Sequence, residues 1–173
     1  MKLGGPAGSF DEALERLSRG DFSRLDSIFD DGSGAKILAW LAEGKFESHD
    51  DALAEALTCA CFNGRTEVAR RLLDNGVTPG SGKATGLNAL HWAANRGQTE
   101  AVELLIEREA PLEDLNMYGG TALGCAVWSA INEPRGDQIG AIVALLKGGA
   151  KIEGSGYPTG DKRIDDAIRP FVR

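Results

Sequence analysis

Acid–base, nucleophilic and metal chemistry draw on a few residue types, and this chain holds few of them in useful patterns. Its 173 residues include two histidines, His49 and His91, and three cysteines, Cys59, Cys61 and Cys125. A zinc centre needs three or four ligands at short, regular spacing. Cys59-x-Cys61 has no second cysteine pair to complete one, and there is no histidine cluster. A Cys125 nucleophile activated by His91 would require both side chains to enter one cleft. Asp30-Asp31, Asp50-Asp51 and Asp165-Asp166 could be proposed as general acid and base, but adjacent residues of a helix point in different directions, and helix ends and solvated faces account for them. Thr78-Pro79-Gly80-Ser81-Gly82-Lys83-Ala84-Thr85 invites comparison with a phosphate-cradling loop. That motif needs a glycine separated by four residues from its Gly-Lys pair and Ser or Thr straight after that pair. Val77 and Ala84 occupy those places. The expectation is no catalytic residue, no metal and no cofactor, with residues 78–85 a flexible loop.

Composition narrows the function classes further. Lys and Arg number 19 and Asp and Glu 26, a net charge of −7, which argues against a general nucleic-acid binder or a basic membrane-surface binder. Apolar residues make up 42% and charged residues 26%, close to globular averages. The 23 glycines are nearly twice the usual share, so many turns follow. No apolar run approaches a bilayer span, and Met1-Lys2-Leu3-Gly4-Gly5-Pro6 leads into no apolar signal core. A cytoplasmic location is expected. Three cysteines, an odd number, suggest no disulfide framework.

The elements that would position any site emerge from self-similarity. Leu57, Leu90 and Leu123 recur every 33 residues, as do Ala60, Ala93 and Ala126; Gly64 pairs with Gly97, Glu67 with Glu100 and Leu72 with Leu105. Each unit predicts a short helix rich in small residues, a glycine turn and a second helix. Gly86-Leu87-Asn88-Ala89-Leu90-His91-Trp92-Ala93-Ala94 is similar to the G-x-T-P-L-H-x-A-A signature of the ankyrin-repeat family, and Gly119-Gly120-Thr121-Ala122-Leu123-Gly124-Cys125-Ala126 repeats it. The sequence departs from that signature at Asn88-Ala89 in place of Thr-Pro, at Glu109 in place of Gly and at Gly124 in place of the second His. The resemblance implies an all-α solenoid of stacked helix-turn-helix pairs with projecting hairpin loops. It also implies that His91 braces the turn before its own helix.

On this register residues 1–9 are a flexible N-terminus and residues 10–173 one domain. Residues 10–21 form a capping helix, 22–49 an imperfect repeat, 50–82 and 83–115 regular repeats, 116–155 a repeat with a seven-residue insertion at 129–137, and 156–173 a capping half repeat. The preferred placement of the 22–49 repeat sets Leu25, Ile28, Phe29 and Gly32 under Leu57, Ala60, Cys61 and Gly64; the alternative makes Phe10 to Gly32 the repeat. Ser9-x-x-Glu12 and Ser48-x-x-Asp51 look like helix N-caps.

Ankyrin arrays usually make contact through loop tips and through the ends of the first helices. Carried over residue by residue, the helix ends are Phe62-Asn63, Asn95-Arg96 and Trp128-Ser129. The tips are Ala84, Thr85 and Leu87, then Leu115, Met117 and Tyr118, then Tyr157. Large apolar side chains facing water mark a binding patch, because aromatics and Arg dominate interface energetics; Phe62 and Trp128 could instead tuck under neighbouring repeats. Trp40 and Trp92 fall in core-facing columns. A monomeric, non-catalytic module that binds a protein partner in its concave groove is expected, acting as inhibitor or regulatory subunit. The alternative is a small enzyme or ligand-binding protein on the same scaffold.

Overall fold

A computed structural model describes residues 8–22, 25 and 34–173. Nine α-helices form within them: α1 (Phe10–Arg19), α2 (Ala35–Ala42), α3 (Asp50–Phe62), α4 (Thr66–Asp74), α5 (Ala89–Arg96), α6 (Thr99–Glu107), α7 (Ala122–Asn132), α8 (Gln138–Lys147) and α9 (Lys162–Ile168). No strand forms among the described residues.

Helices this short are marginal alone and take their stability from packing. Two layers supply it. First helices stack α1 on α3, α3 on α5 and α5 on α7, while second helices stack α2 on α4, α4 on α6 and α6 on α8. Leu57, Leu90 and Leu123 are wholly buried in the first layer, beside wholly buried Ala60, Ala93 and Ala126. The alanines let the helices approach closely. The leucines supply apolar area at about 2 kcal/mol each.

Local signals set the helix starts. Ser9 accepts the Glu12 N–H at 3.2 Å, as its spacing predicts. Asn88 accepts the His91 N–H at 3.0 Å, and His91 Nδ1 accepts the Asn88 N–H at 3.3 Å. The two residues thus close a reciprocal cap on α5, which is how Asn serves where the family prefers Thr. Ser48 does not cap α3. Its φ is +71° and His49 stands at the N-cap with no side-chain bond. Glu109, where the family prefers Gly, takes the left-handed backbone at φ +60°.

The packing corrects three placements. First, α1 occupies the layer of first helices and α2 that of second helices, so Phe10 opens a repeat instead of forming a separate cap. Neither register holds whole, because the second helix of that repeat is α2, Ala35–Ala42, beyond Gly32; Ile28, Phe29 and Gly32, on which the preferred register rests, lie outside the described residues, as does most of the 1–9 segment. Second, α7 continues through Ser129 to Asn132, so the looped part of the insertion is 133–137. Third, α9 packs on α8, and a short 3₁₀ turn at Ile152–Ser155 packs on α7. The closing half repeat is therefore 3₁₀ turn plus α9, with α9 in the second-helix layer. No described helix is long and apolar enough to cross a membrane.

All three cysteines are buried and none forms a disulfide. Burial pushes the Cys61 thiol up to about 12 and that of Cys125 to about 11, the latter opposed by the Asn116 side-chain amide at 3.1 Å.

Candidate functional site

The α6–α7 connection is a tied loop. Asn116 Oδ1 accepts the N–H groups of Tyr118 (2.9 Å) and Gly120 (3.0 Å), while the Asn116 N–H donates to the Gly120 carbonyl at 2.9 Å. The Met117 N–H donates to the carbonyl of Gly86 in the preceding connection, also at 2.9 Å. Behind the tip, His91 Nε2 meets the Asp114 carbonyl at 2.9 Å, and Lys83 Nζ pairs with the Asp114 carboxylate at 3.1 Å. With its polar groups turned inward, the loop carries Leu115, Met117 and Tyr118 outward, at 61%, 65% and 80% exposure. A buried apolar group gains free energy, and these three forgo it.

Trp128 of α7 is 52% exposed. Ile131, one helical turn later at i+3, is 47% exposed and shares its face. Sequence mapping missed Ile131, because 129–137 was assigned to a loop; the continuous apolar pattern Val127-Trp128-x-x-Ile131 was the available signal. Trp128 lies seven residues beyond the α7 N-cap Thr121, a rise of about 10 Å. The loop tip ends just before that cap, so both clusters fall within the span of a single protein contact.

Other candidates are held in packing. Phe62 is half-buried between Phe22, at 5.8 Å between ring centroids, and Trp92, which stands edge-on at 5.0 Å. The Arg96 guanidinium lies over the Phe62 ring at 4.4 Å. Trp92 is itself half-buried and donates from Nε1 to Thr85 Oγ1 at 2.8 Å. Asn63 donates to the Cys59 carbonyl at 3.1 Å, and the Asn95 carbonyl accepts from Gln138 Nε2 at 3.3 Å. Tyr157 packs partly buried against the core. Two expectations are corrected outright: Leu87 and Ser129 are buried. Leu87 faces the interior under its loop, and the Ser129 hydroxyl donates to the Glu133 carbonyl at 3.1 Å, the bond that lets α7 run past the predicted break. Neither offers a side chain to a docking protein.

The groups singled out for catalytic or phosphate chemistry are engaged within the fold. His91 spends both ring nitrogens on backbone, and burial lowers its pKa. The Cys125 thiol is held neutral by burial. In the glycine-rich loop the Ala84 N–H is already donated to the Glu55 carboxylate at 2.7 Å, and Lys83 is paired with Asp114. Among the described residues no group of three or more His, Cys, Asp or Glu could hold a metal ion.

The chain matches the family described as ankyrin repeats, three copies, over residues 31–114 and 57–153. Since the match spans well over half of the sequence, the protein belongs to the ankyrin-repeat family. Ankyrin repeats are generally protein–protein interaction modules. No curated protein matches the chain.

Proposed function

We propose that the protein binds a protein partner through Leu115, Met117 and Tyr118 of the α6–α7 loop together with Trp128 and Ile131 of α7. The observation that supports this most is the combination of strong exposure with an immobilised backbone. A loop tied by its own Asn116 and by His91 gives up little conformational entropy on docking. A contact on the order of 800 Å² per partner is the standard size, and aromatic anchors such as Tyr118 and Trp128 would dominate it. Net charge of −7 favours a basic target surface. An inhibitor or regulatory subunit, monomeric and non-catalytic, is the role that fits such a surface; a cytoplasmic setting belongs to the same proposal.

The test is capture of partners from the source cell, followed by titration of the captured protein against wild type and against a Tyr118→Ala, Trp128→Ala double variant. The variant should fold as wild type, since both side chains are exposed. It should bind at least tenfold more weakly. Equal affinity would move the contact elsewhere on the array.

A further inference from the structure

The α4–α5 connection stands off the N-terminal half of α3. With Ser18 of α1 it encloses a cleft of about 670 Å³, within the size range of small-ligand pockets. Asp50, Asp51 and Glu55 of α3 line it, together with Lys83 of the loop. Asp50 and Asp51 sit in the first turn of α3, where the helix dipole favours acid, so by themselves they indicate no ligand.

Glu55 is another matter. It lies beyond the first turn and is 3% exposed. One carboxyl oxygen accepts the Ala84 N–H, and the other, Oε2, is buried with no hydrogen-bond partner. Leaving a buried carboxyl oxygen unpaired is costly. Desolvation raises the Glu55 pKa, the Ala84 amide opposes the rise, and Asp51 adds to it. None of the three carboxylates forms an ion pair among the described residues, and Lys83, the cation on the lining, is paired with Asp114 instead. The cleft is thus a ligand-sized, acid-lined space with an unpaired acceptor in its wall. A metal ion is a poor fit, since the carboxylates are not grouped to coordinate one. A cation that brings its own N–H donors suits both the charge and the unpaired oxygen.

We propose that this cleft is a binding site for an organic cation, an alkylammonium or guanidinium group, with Glu55 accepting its N–H and Asp50 and Asp51 supplying the attracting charge. The site shares no residue with the apolar surface of the α6–α7 loop and α7, and it stands whether or not that surface docks a partner. Such a group arrives either as a free small amine or as a side chain of a basic protein segment.

Spermidine, N-acetyl-arginine methylamide and a short arginine-containing peptide are each titrated into the full chain. The amide resonances of Gly82 and Ala84 are followed, with N-acetyl-glutamine methylamide as the neutral control. Saturable shifts with a cationic probe and none with the control are expected. Glu55→Gln, whose amide oxygen can still accept from Ala84, should weaken binding about tenfold. Asp51→Asn, at an exposed position, should weaken it about threefold and serves as the reading if Glu55→Gln does not fold. Saturation by the free amines assigns a small-molecule source; saturation by the peptide alone assigns a protein side chain. The proposal is overturned if no cationic probe saturates, if the neutral control shifts the same amides, or if the variants that fold bind as wild type does.

Discussion

Gly97→Ala is expected to cost about 3 kcal/mol of stability, whereas Gly64→Ala, the same change one repeat earlier, costs about 1 kcal/mol. Both glycines close a first helix in the left-handed region, at φ +66° and +67°, so both substitutions incur the backbone penalty that an L side chain meets there. They differ in what the new methyl group strikes. At Gly64 it meets the far end of the Gln98 side chain, which can swing away. At Gly97 it lands 2.5 Å from the Asp137 nitrogen, 2.7 Å from the Arg135 oxygen and 2.8 Å from the Gln138 nitrogen. These are backbone atoms, and the Asp137 N–H is bonded to the Gly97 carbonyl at 3.0 Å. Relief requires moving the 133–137 loop and the start of α8, which adds about 1–3 kcal/mol. Urea unfolding of the two variants side by side measures the difference. Equal losses would mean that the loop yields freely and is not seated on Gly97.

His91→Ala is the second large effect, about 3 kcal/mol at neutral pH. The substitution empties a fully buried site and strips partners from the Asn88 N–H and the Asp114 carbonyl. It also loosens the loop that carries Tyr118. Because Nδ1 accepts from Asn88, the ring proton sits on Nε2 and is donated to Asp114, a neutral tautomer. Desolvation lowers the folded pKa below 6.5, against the opposing pull of the Asp114 carbonyl. Below about pH 6.5 the unfolded chain therefore takes up the proton more readily than the folded one. The stability that His91 contributes is complete above that pH and declines as pH falls toward the folded value. The gap between wild type and His91→Ala should accordingly be wide at about pH 7.5 and narrower at about pH 5, read as thermal midpoints. A gap that does not change with pH would show that the ring titrates alike in both states.

The legible parts of this architecture are those where one residue decides one contact. The 33-residue recurrence of Leu57, Leu90 and Leu123 foretells three identical burials, since a solenoid repeats its core with its sequence. Ser9 announces the start of α1 through a side chain that caps locally, whereas Ser48, with the same spacing to an acid, does not cap α3. The misassigned parts depend on individual side-chain bonds and on packing between layers. Ser129 prolongs α7 through a hydroxyl bonded to Glu133, and Gln138 reaches across to the Asn95 carbonyl; neither bond leaves a periodic trace. The register of residues 10–49 follows from which helix packs on which layer, and the spacing between Gly20, Gly32 and Gly44 is equally compatible with both alternatives. At the surface, Leu115, Met117 and Tyr118 are exposed because loop tips project by geometry, while Trp128 is exposed on a face of α7. Phe62 is drawn instead into the Phe22 and Trp92 rings, an arrangement that depends on aromatic neighbours from two other segments of the chain.

The three buried thiols have a consequence for how the array comes apart. Only a thiolate attacks an alkylating or oxidising reagent, and a thiol titrating near 11 or 12 offers almost none at neutral pH. Reaction at Cys61 therefore waits on the opening of the α3 unit, and reaction at Cys125 on that of the α7 unit. An array whose repeats touch only their neighbours can unzip from either end. The native cysteines divide it into two separately timed halves, so the order in which they are labelled records the direction of unzipping without any engineered probe.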